Sequence, residues 1–159
     1  MPAMPARKAT PAQSKPKPKP TATPKPKPRP AVRSKAPTHS APASVADLKR
    51  ANDATKGQPT MLFIYSDGCP YCLMMKPAWD KFVASRPKIS TVGVSSGLFD
   101  AGVKAKAVKP LDFSTVPFVC IVTTDGTTRK FDDFLAMHPK GGEGRTTANL
   151  SLFAAYGRA

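Results

Sequence analysis

The sequence is poor in acidic residues, cysteine, histidine and tryptophan. Its 159 residues include ten Asp and Glu against 25 Lys and Arg, with three Cys, two His and one Trp. Three cysteines are too few for the several bridges of a small secreted domain, so we exclude a disulfide framework and favour a reducing compartment. Zinc needs four ligands, and beyond a C-x-x-C pair only Cys120, His39 and His138 remain, none at finger spacing. We therefore predict no metal site.

Long apolar runs are also missing. Residues 1 to 8 lack the apolar segment of a secretory signal, and no stretch approaches the ~18 apolar residues that a spanning helix needs. An organellar transit peptide would be basic and free of acids too, but its amphipathic helix is incompatible with the proline density found here. The sequence therefore predicts an intracellular, cytoplasmic protein without a membrane span.

A basic, proline-rich tail opens the chain. Residues 1 to 43 hold 12 of the 19 prolines and ten Lys and Arg but no acid, so they supply +10 of the formal charge of +15. Alternating Lys and Pro cannot bury apolar area, which favours a disordered, polyproline-like arm. Three roles stay open: a solubilising spacer, attraction to a polyanion such as nucleic acid or an acidic surface, and a ligand for a proline-binding groove.

Residues 44 to 159 have the composition and the alternating helical and strand patterns of one small α/β domain. In chain order we predict a helix capped by Ser44, a buried strand at 59–65, a helix at 70–85, a strand at 88–94, a helix at 99–108, a buried strand after Pro117, a turn at Asp125-Gly126, an edge strand at 128–134, a glycine-rich loop at 136–145 and a last helix at 147–156.

The stretch that carries chemistry is Cys69-Pro70-Tyr71-Cys72, at the junction of the first buried strand with the second helix. A C-x-x-C at such a junction sets two sulfurs one helical turn apart, with the first at the helix N-terminus, where backbone N–H groups favour an anion. Pro70 suits the first helical turn. We predict a dithiol redox site in which Cys69 attacks and Cys72 resolves.

Pro117 precedes a buried strand, where it cannot donate to a ladder. A cis Val116–Pro117 bond facing the cysteines would account for it. Cys120, in the same strand, is interpreted as a small apolar core residue, and Trp79 and the Met74/Met75 pair as core residues of the helix at 70–85. His138 is interpreted as exposed and without a role. For Asp67, tuning Cys69 and capping the turn stay open as alternatives.

Together these residues resemble the thioredoxin-like superfamily over about residues 44 to 157. The tetrapeptide Cys69-Pro70-Tyr71-Cys72 is similar to that of dithiol glutaredoxins, and Pro77 stands where thioredoxins have a helix-bending proline. Pro117 lies near the family's interval to its cis-proline. The resemblance implies the thioredoxin fold, a central mixed sheet flanked by helices, and a thiol-disulfide oxidoreductase with Cys69 and Cys72 as catalytic residues.

The resemblance also implies further site residues and partners. Thr115, Val116 and Pro117 would bind substrate, with Tyr65, Pro70, Tyr71 and Pro77 supporting the motif. The implied partners are disulfide-containing proteins and an electron donor, either a reductase or glutathione. No bound cofactor is implied beyond the redox-active Cys69–Cys72 disulfide, with glutathione as co-substrate if the chain works as a glutaredoxin.

The two branches of the superfamily differ at a few positions. Glutaredoxins usually have a basic residue three before the first cysteine, but here Ser66 stands there and Asp67 follows it. The Gly-Gly-x-Asp signature of glutaredoxins is also missing, although Asp132 and Asp133 lie in the predicted last strand. Phe63 replaces the buried acid of thioredoxins. We favour a thioredoxin-like protein disulfide oxidoreductase. A glutathione-dependent glutaredoxin and a polyanion-binding adaptor tethered by the tail are the alternatives.

Overall fold

The computed structural model describes residues 37–138 and 144–158, all within one compact unit. Its elements are β1 (His39–Ser40), α1 (Val45–Thr55), β2 (Thr60–Tyr65), α2 (Pro70–Ala84), β3 (Ser90–Ser95), α3 (Ser96–Lys104), β4 (Phe118–Val122), β5 (Thr128–Lys130), α4 (Phe131–Met137) and α5 (Thr147–Tyr156).

The five strands form one mixed sheet in the order β1-β3-β2-β4-β5. Strands β1, β3 and β2 run parallel, while β4 is antiparallel to β2 and to β5. Phe63 in the centre of β2 is paired with Gly93 on one side and Val119 on the other. This is the mixed sheet flanked by helices that the sequence predicted, and β2 delivers the chain directly to the cysteine pair.

Local signals in the sequence start and stop the elements. Ser44 caps α1 by accepting the Asp47 N–H at 3.1 Å, and its hydroxyl donates to the Asp47 carboxylate at 2.8 Å. Thr146 caps α5 in the same way through the Asn149 N–H at 3.2 Å. Gly126 has a φ of +86° in the turn between β4 and β5, which favours glycine there. The predicted Ser44 cap and Asp125-Gly126 turn are confirmed.

One face of the sheet, here called the sealed face, is covered by α2, α4 and α5. Strand residues 61, 63, 119 and 121 point to it, and large aromatic side chains from the three helices pack on them. Phe153 of α5 is fully buried and lies 5.1 Å from Phe131 and 5.3 Å from Phe134, measured between ring centroids. Large side chains on three helices therefore leave little apolar surface in contact with water on this side.

The opposite face, here called the open face, is covered by α1, α3 and the segment at 105–117. Its fully buried members are fewer and include Leu48, Ala51 and Phe99. Many apolar residues that pack against them are only partly buried: Leu62, Leu98, Val103, Val108, Leu111, Phe113, Val116 and Val122. Since α3 has only nine residues, the cover on this face is incomplete.

The N-terminal boundary differs from the prediction. Residues 37 to 43 were assigned to the disordered tail, but His39–Ser40 pair with β3, and the Thr38 N–H donates to Ser90 Oγ at 3.0 Å. The ring nitrogen Nδ1 of His39 lies 3.0 Å from Thr91 Oγ1. Thr38, Ser40 and His39 therefore join the sheet through backbone and side-chain polar contacts, which have no apolar signal in the sequence. The rest of the tail, 1–36, lies outside the described residues.

The predicted edge strand at 128–134 is wrong beyond Lys130. Phe131 begins α4, so Asp132 and Asp133 occupy the first turn of a helix and not a strand. The two acids complement the helix dipole there, and Phe131 and Phe134 are buried with the three-residue spacing of a helical face. The predicted loop at 136–145 is therefore shorter at its start, and its residues 139–143 lie outside the described part.

Helix α3 is also displaced from its predicted range of 99–108. Ser95 caps it by accepting the Leu98 N–H at 3.3 Å, which starts the helix at Ser96. It ends at Lys104 because Lys106 has a φ of +55° and the Ala107 N–H returns to the Gly102 carbonyl at 2.8 Å. The prediction overlooked the serine cap and extended the helix through its C-terminal turn.

Candidate active site

The two cysteines lie where β2 passes into α2. Cys69 is the N-cap of α2, with extended backbone angles, and Pro70 occupies the first helical turn. The Cys69 N–H donates to the Ser66 carbonyl at 3.1 Å, which closes the turn after Tyr65. Cys69 is partly exposed whereas Cys72, one turn further, is 2% exposed. One thiol is therefore accessible and the other is buried behind it.

Backbone N–H groups point at both sulfurs. The Cys72 N–H donates to Cys69 Sγ at 3.4 Å, and the Ser66 N–H donates to Cys72 Sγ, also at 3.4 Å. Hydrogen bonds of this kind stabilise a thiolate more than a thiol, because the charged sulfur is the stronger acceptor. The turn and the helix N-terminus thus provide an anion site for each sulfur.

The pKa values of the two thiols are shifted in opposite directions. The hydrogen bond from the Cys72 side chain lowers the pKa of Cys69, helped by the N–H groups of Cys72 and Tyr71. Burial raises the pKa of Cys72, and its hydrogen bond to Cys69 raises it further, while the Ser66 N–H acts against the rise. Near neutral pH this arrangement favours a nucleophilic Cys69 beside a protonated Cys72.

The Val116–Pro117 bond is cis, as predicted, and it lies beside the first cysteine. Cys69 Sγ is 3.5 Å from the Val116 carbonyl oxygen. Thr115 is exposed, Val116 is half-buried and Pro117 is buried. The structure therefore brings two distant parts of the chain together, with the Val116 carbonyl next to the accessible sulfur.

The motif residues have different surroundings. Tyr65 is half-buried, its ring 5.3 Å from that of Phe63, and Lys76 Nζ is 5.5 Å from the Tyr65 ring centre. Tyr71 is 65% exposed, and Pro77 is exposed within α2. Tyr65 thus supports the packing under the site, whereas the Tyr71 ring projects into solvent beside the two cysteines.

An exposed apolar surface borders the cysteines on α2. Tyr71, Leu73 and Met74, here called the apolar rim, are each more than half exposed. Met75 and Trp79, on the other side of the same helix, are buried in the sealed face, as the interpretation of Trp79 and the methionine pair as core residues predicted. That interpretation is wrong for Met74, which is 68% exposed. Large apolar side chains next to an accessible thiol favour contact with another molecule.

Arg145 is a charged residue whose effect on the cysteines sequence analysis missed. Its guanidinium donates to both carboxylate oxygens of Asp132, at 3.0 and 3.2 Å, and its positive charge is a minor cause that lowers the pKa of Cys69 and of Cys72. Neither residue stands in a motif, and Asp132 was placed in a strand. Only the observed start of α4 shows that the Asp132 carboxylate is available to hold Arg145.

The remaining candidates lie away from the chemistry or take no visible part in it. Cys120 is fully buried in the open face, and burial raises the pKa of its thiol to about 12, consistent with a core residue. His138 is exposed, as predicted, with its ring 4.4 Å from that of Phe134. Asp67 is exposed in the turn. Phe63, in the place of the thioredoxin acid, is buried against Trp79.

Over 37–138 and 144–158, no three His, Cys, Asp or Glu side chains are grouped as a metal ion would require. None of the helices in those ranges combines the length and apolar character that crossing a bilayer demands.

The chain was compared with known proteins. No protein-family model matches it, and no curated protein is similar enough to count as a match. Among solved structures, the J-Trx1 fragment of ERdj5 superposes with a TM-score of 0.51 and 18% identity, over 74% of this chain. This chain spans about half of that fragment, 49% of its length.

Two thioredoxins superpose less closely. That of Fasciola hepatica has a TM-score of 0.45 at 14% identity, over 63% of this chain and 95% of its own. Thioredoxin O1 of Arabidopsis thaliana, in the oxidized state, has 0.46 at 14%, over 63% and 96%. The likeness to the ERdj5 fragment, with its TM-score of 0.51 at 18% identity, establishes the fold and not the activity. The chain therefore has the thioredoxin fold, as its resemblance to the thioredoxin-like superfamily predicted.

Proposed function

We propose that this protein is a thiol-disulfide oxidoreductase that reduces or exchanges disulfides of other proteins through Cys69 and Cys72. The observation that carries the proposal is the position of Cys69: its sulfur is accessible at the N-terminus of α2, it accepts the Cys72 N–H at 3.4 Å, and it lies 3.5 Å from the Val116 carbonyl. A nucleophile, an anion site and a backbone carbonyl thus meet at one sulfur.

In the first step, the Cys69 thiolate attacks one sulfur of the substrate disulfide. A bond forms between Cys69 Sγ and that sulfur, the substrate S–S bond breaks, and the other substrate sulfur leaves as a thiolate that takes a proton. The lowered pKa of Cys69 raises the thiolate fraction available for attack. The product is a mixed disulfide between substrate and Cys69.

In the second step, Cys72 loses its proton and attacks Cys69 Sγ. The intramolecular Cys69–Cys72 disulfide forms, the mixed disulfide breaks and the substrate leaves with two more electrons than it brought. The Ser66 N–H at 3.4 Å stabilises the Cys72 thiolate as it forms, which matters because burial raises the pKa of that thiol. Since Phe63 supplies no base, we propose that the departing substrate thiolate takes the proton.

Substrate recognition combines main chain and apolar contact. The Val116 backbone next to Cys69 is able to pair with an extended peptide, while Thr115 remains exposed beside it. The apolar rim supplies the side-chain part of the surface. We therefore propose protein disulfides in extended or unfolded segments as the substrate class.

The decisive experiment is insulin disulfide reduction with dithiothreitol as donor. Cys69→Ser is expected to reduce the rate to that of dithiothreitol alone, and Cys72→Ser to accumulate a mixed disulfide that mass spectrometry detects. Cys120→Ser is the matched control, because that thiol is buried in the open face, and it should retain the wild-type rate. A Cys69→Ser variant as active as Cys120→Ser would contradict the proposal.

The electron donor is part of the same proposal. Thioredoxin-like use of a reductase is the first candidate, and glutathione is the second. The observation that favours glutathione is the exposed Tyr71 ring beside the cysteines, together with the cis Val116–Pro117 bond, since the resemblance to glutaredoxins implies that these residues would help hold glutathione. Turnover measured with thioredoxin reductase against glutathione plus its reductase separates the two.

A second candidate function concerns the tail. Ten basic residues and no acid in residues 1 to 43 favour binding to a polyanion, which would tether the domain as an adaptor. Deleting residues 1 to 36 should remove salt-sensitive binding to DNA or anionic vesicles and leave insulin reduction unchanged. Unchanged binding after the deletion would discard this function.

A further inference from the structure

Exposed basic side chains are gathered at the end of the sheet away from the cysteines. They stand at the C-terminal ends of α1, α2 and α3 and in the segments that follow these helices. All six are exposed, and together they are here called the basic end: Lys56, Arg86, Lys88, Lys104, Lys106 and Lys109. Three helices therefore deliver positive charge to one side of the domain.

Polar contacts hold these segments side by side. The Ser90 hydroxyl, at the start of β3, donates to Gln58 Oε1 at 3.1 Å, which places the turn after α1 beside the turn after α2. Asn52 Nδ2 donates to the Ala107 carbonyl at 3.2 Å, which holds the chain after α3 against the last turn of α1. Cys69, in contrast, follows the opposite end of β2. The basic end is therefore one region, remote from the cysteines.

The charge of the basic end is largely uncompensated. None of its six cations forms an ion pair with a residue in 37–138 or 144–158, whereas five other cations of the domain are each paired with an aspartate: Lys49, Arg50, Lys76, Lys130 and Arg145. Three acids lie on neighbouring segments, and one of them, Asp53, is already paired with Lys49. The other two, Asp100 and Asp125, leave an excess of positive charge.

The basic segment 1–36 joins the domain at this same end. The Thr38 N–H donates to Ser90 Oγ at 3.0 Å, so the chain enters the sheet beside the basic end. All ten Lys and Arg of residues 1 to 43 precede this point. Covalent linkage raises the effective concentration of one binding module for a partner that the other already holds. A partner bound by the segment is thereby offered to the basic end.

The surroundings of the basic end favour a nucleic-acid backbone as that partner. Among the described residues, the large exposed apolar side chains lie at the start of α2 and on α4 and α5, and none belongs to the basic end. Nothing there inserts into a bilayer or stacks on an unpaired base. Double-stranded nucleic acid carries one charge per ~1.7 Å, and clustered Lys and Arg bind it by releasing counterions.

We propose that the basic end binds the phosphate backbone of double-stranded nucleic acid, as a second contact beside that of residues 1 to 36. The proposal rests on the second candidate function, polyanion binding by the tail, and goes beyond it by assigning a surface of the folded domain. Contacts to phosphates carry no base-sequence information, so the binding is independent of sequence. Since the basic end lies opposite the cysteines, Cys69 stays accessible in the complex.

The test is fluorescence anisotropy of a short labelled DNA duplex with the full chain at several salt concentrations. A triple variant, Lys56→Gln with Lys88→Gln and Lys109→Gln, removes one cation from each of the three segments. It should bind more weakly than the wild type. The slope of the logarithm of the binding constant against the logarithm of salt concentration should fall by about 1 for each lysine, roughly 3 in all.

The matched control removes the same charge from positions that are already paired with acids: Lys49→Gln, Lys76→Gln and Lys130→Gln. Its slope should stay close to that of the wild type, and equal slopes in the two triple variants would overturn the proposal. Circular dichroism checks the folding of both. If either triple variant loses helix, the single variants Lys88→Gln and Lys76→Gln repeat the comparison, with an expected difference of about 1.

Deleting residues 1 to 36 tests the tail separately. If the deletion removes duplex binding while the two triple variants have equal slopes, the tail function stands and the basic end is refuted. A full chain that does not bind the duplex refutes both. Phosphatidylserine vesicles that displace the duplex at equal accessible phosphate would refute nucleic acid as the partner of the basic end.

Discussion

The two faces of the sheet differ in how completely they are covered. Among the described residues, the sealed face has 13 fully buried core members, six of them aromatic, whereas the open face has eight, two of them aromatic. Neighbouring residues of one strand, such as Ile121 and Val122, therefore meet different surroundings. The comparison indicates that the sealed face supplies most of the folding stability, whereas the open face tolerates unfilled volume.

The largest difference is expected on removing an aromatic ring. Phe153→Ala in the sealed face should cost about 3 to 5 kcal/mol of unfolding free energy, because it leaves a cavity among residues with no room to relax. Phe113→Ala in the open face should cost roughly 1 to 2 kcal/mol, since that ring is already partly exposed. Urea denaturation measures both, and equal costs would break the comparison.

Added methyl groups at two glycines test how far each face can yield. A Cβ at Gly157 would lie 2.2 Å from Ile121 Cδ1 and 3.0 Å from its Cγ2, whereas one at Gly102 would lie 2.7 Å from Leu48 Cδ2. Gly157→Ala should cost about 1 to 3 kcal/mol, since Ile121 is enclosed.

Gly102→Ala should be close to neutral in the same assay. Leu48 lines a cavity of the open face and is able to move into it. In addition, alanine gains up to about 1 kcal/mol of helix propensity over glycine. A Gly102 variant destabilised as much as the Gly157 variant would show that the open face is as rigid as the sealed one.

A smaller difference is expected for one extra methylene on each side of β4. Val119→Ile points to the sealed face and should cost about 1 kcal/mol through overpacking. Val122 lines a cavity of the open face, and Val122→Ile should gain about 0.5 kcal/mol by occupying part of it. Thermal and urea unfolding of the two variants give the signs, and two losses would contradict the assignment of spare volume to the open face.

The smallest effect concerns the positive charge of Arg145, between the sealed-face helices α4 and α5, which lowers the pKa of Cys69. Alkylation of Cys69 should rise with pH through a midpoint below the ~8.5 of a free thiol. Arg145→Gln removes a positive charge that favours the thiolate, so it should move that midpoint upward without changing unfolding free energy much. Arg129→Gln, whose guanidinium donates to the Tyr156 carbonyl at 2.9 Å, is the control and should leave the midpoint in place.

Local sequence signals predicted most of the fold. The cap at Ser44, the buried strand ending at Tyr65, the Cys69 helix start and the Asp125-Gly126 turn each depend on neighbouring residues, so the chain itself carries the information. The cis Val116–Pro117 bond was also predicted, because a proline before a buried strand has few alternatives.

Apart from α3, whose local cap at Ser95 was overlooked, the errors lie where tertiary contacts decide. Strand β1 is two residues of polar sequence that join the sheet through Ser90 and Thr91, which no local pattern reveals. Phe131 and Phe134 fit an edge strand as well as a helix until their burial on the sealed face selects the helix. The Arg145–Asp132 pair could not be predicted because it depends on Asp132 lying in the first turn of α4, the helix that precedes Arg145.

The only indole of the chain, Trp79, lies on the sealed face, in ring contact with Phe63 and above Gly93, whose missing side chain makes room for it. Its fluorescence therefore reports on the sealed face. Emission should change when α2 or its packing is disturbed and stay unchanged when only the open face is disturbed. A single spectroscopic signal thus distinguishes disturbance of α2 from disturbance of the opposite face of the sheet.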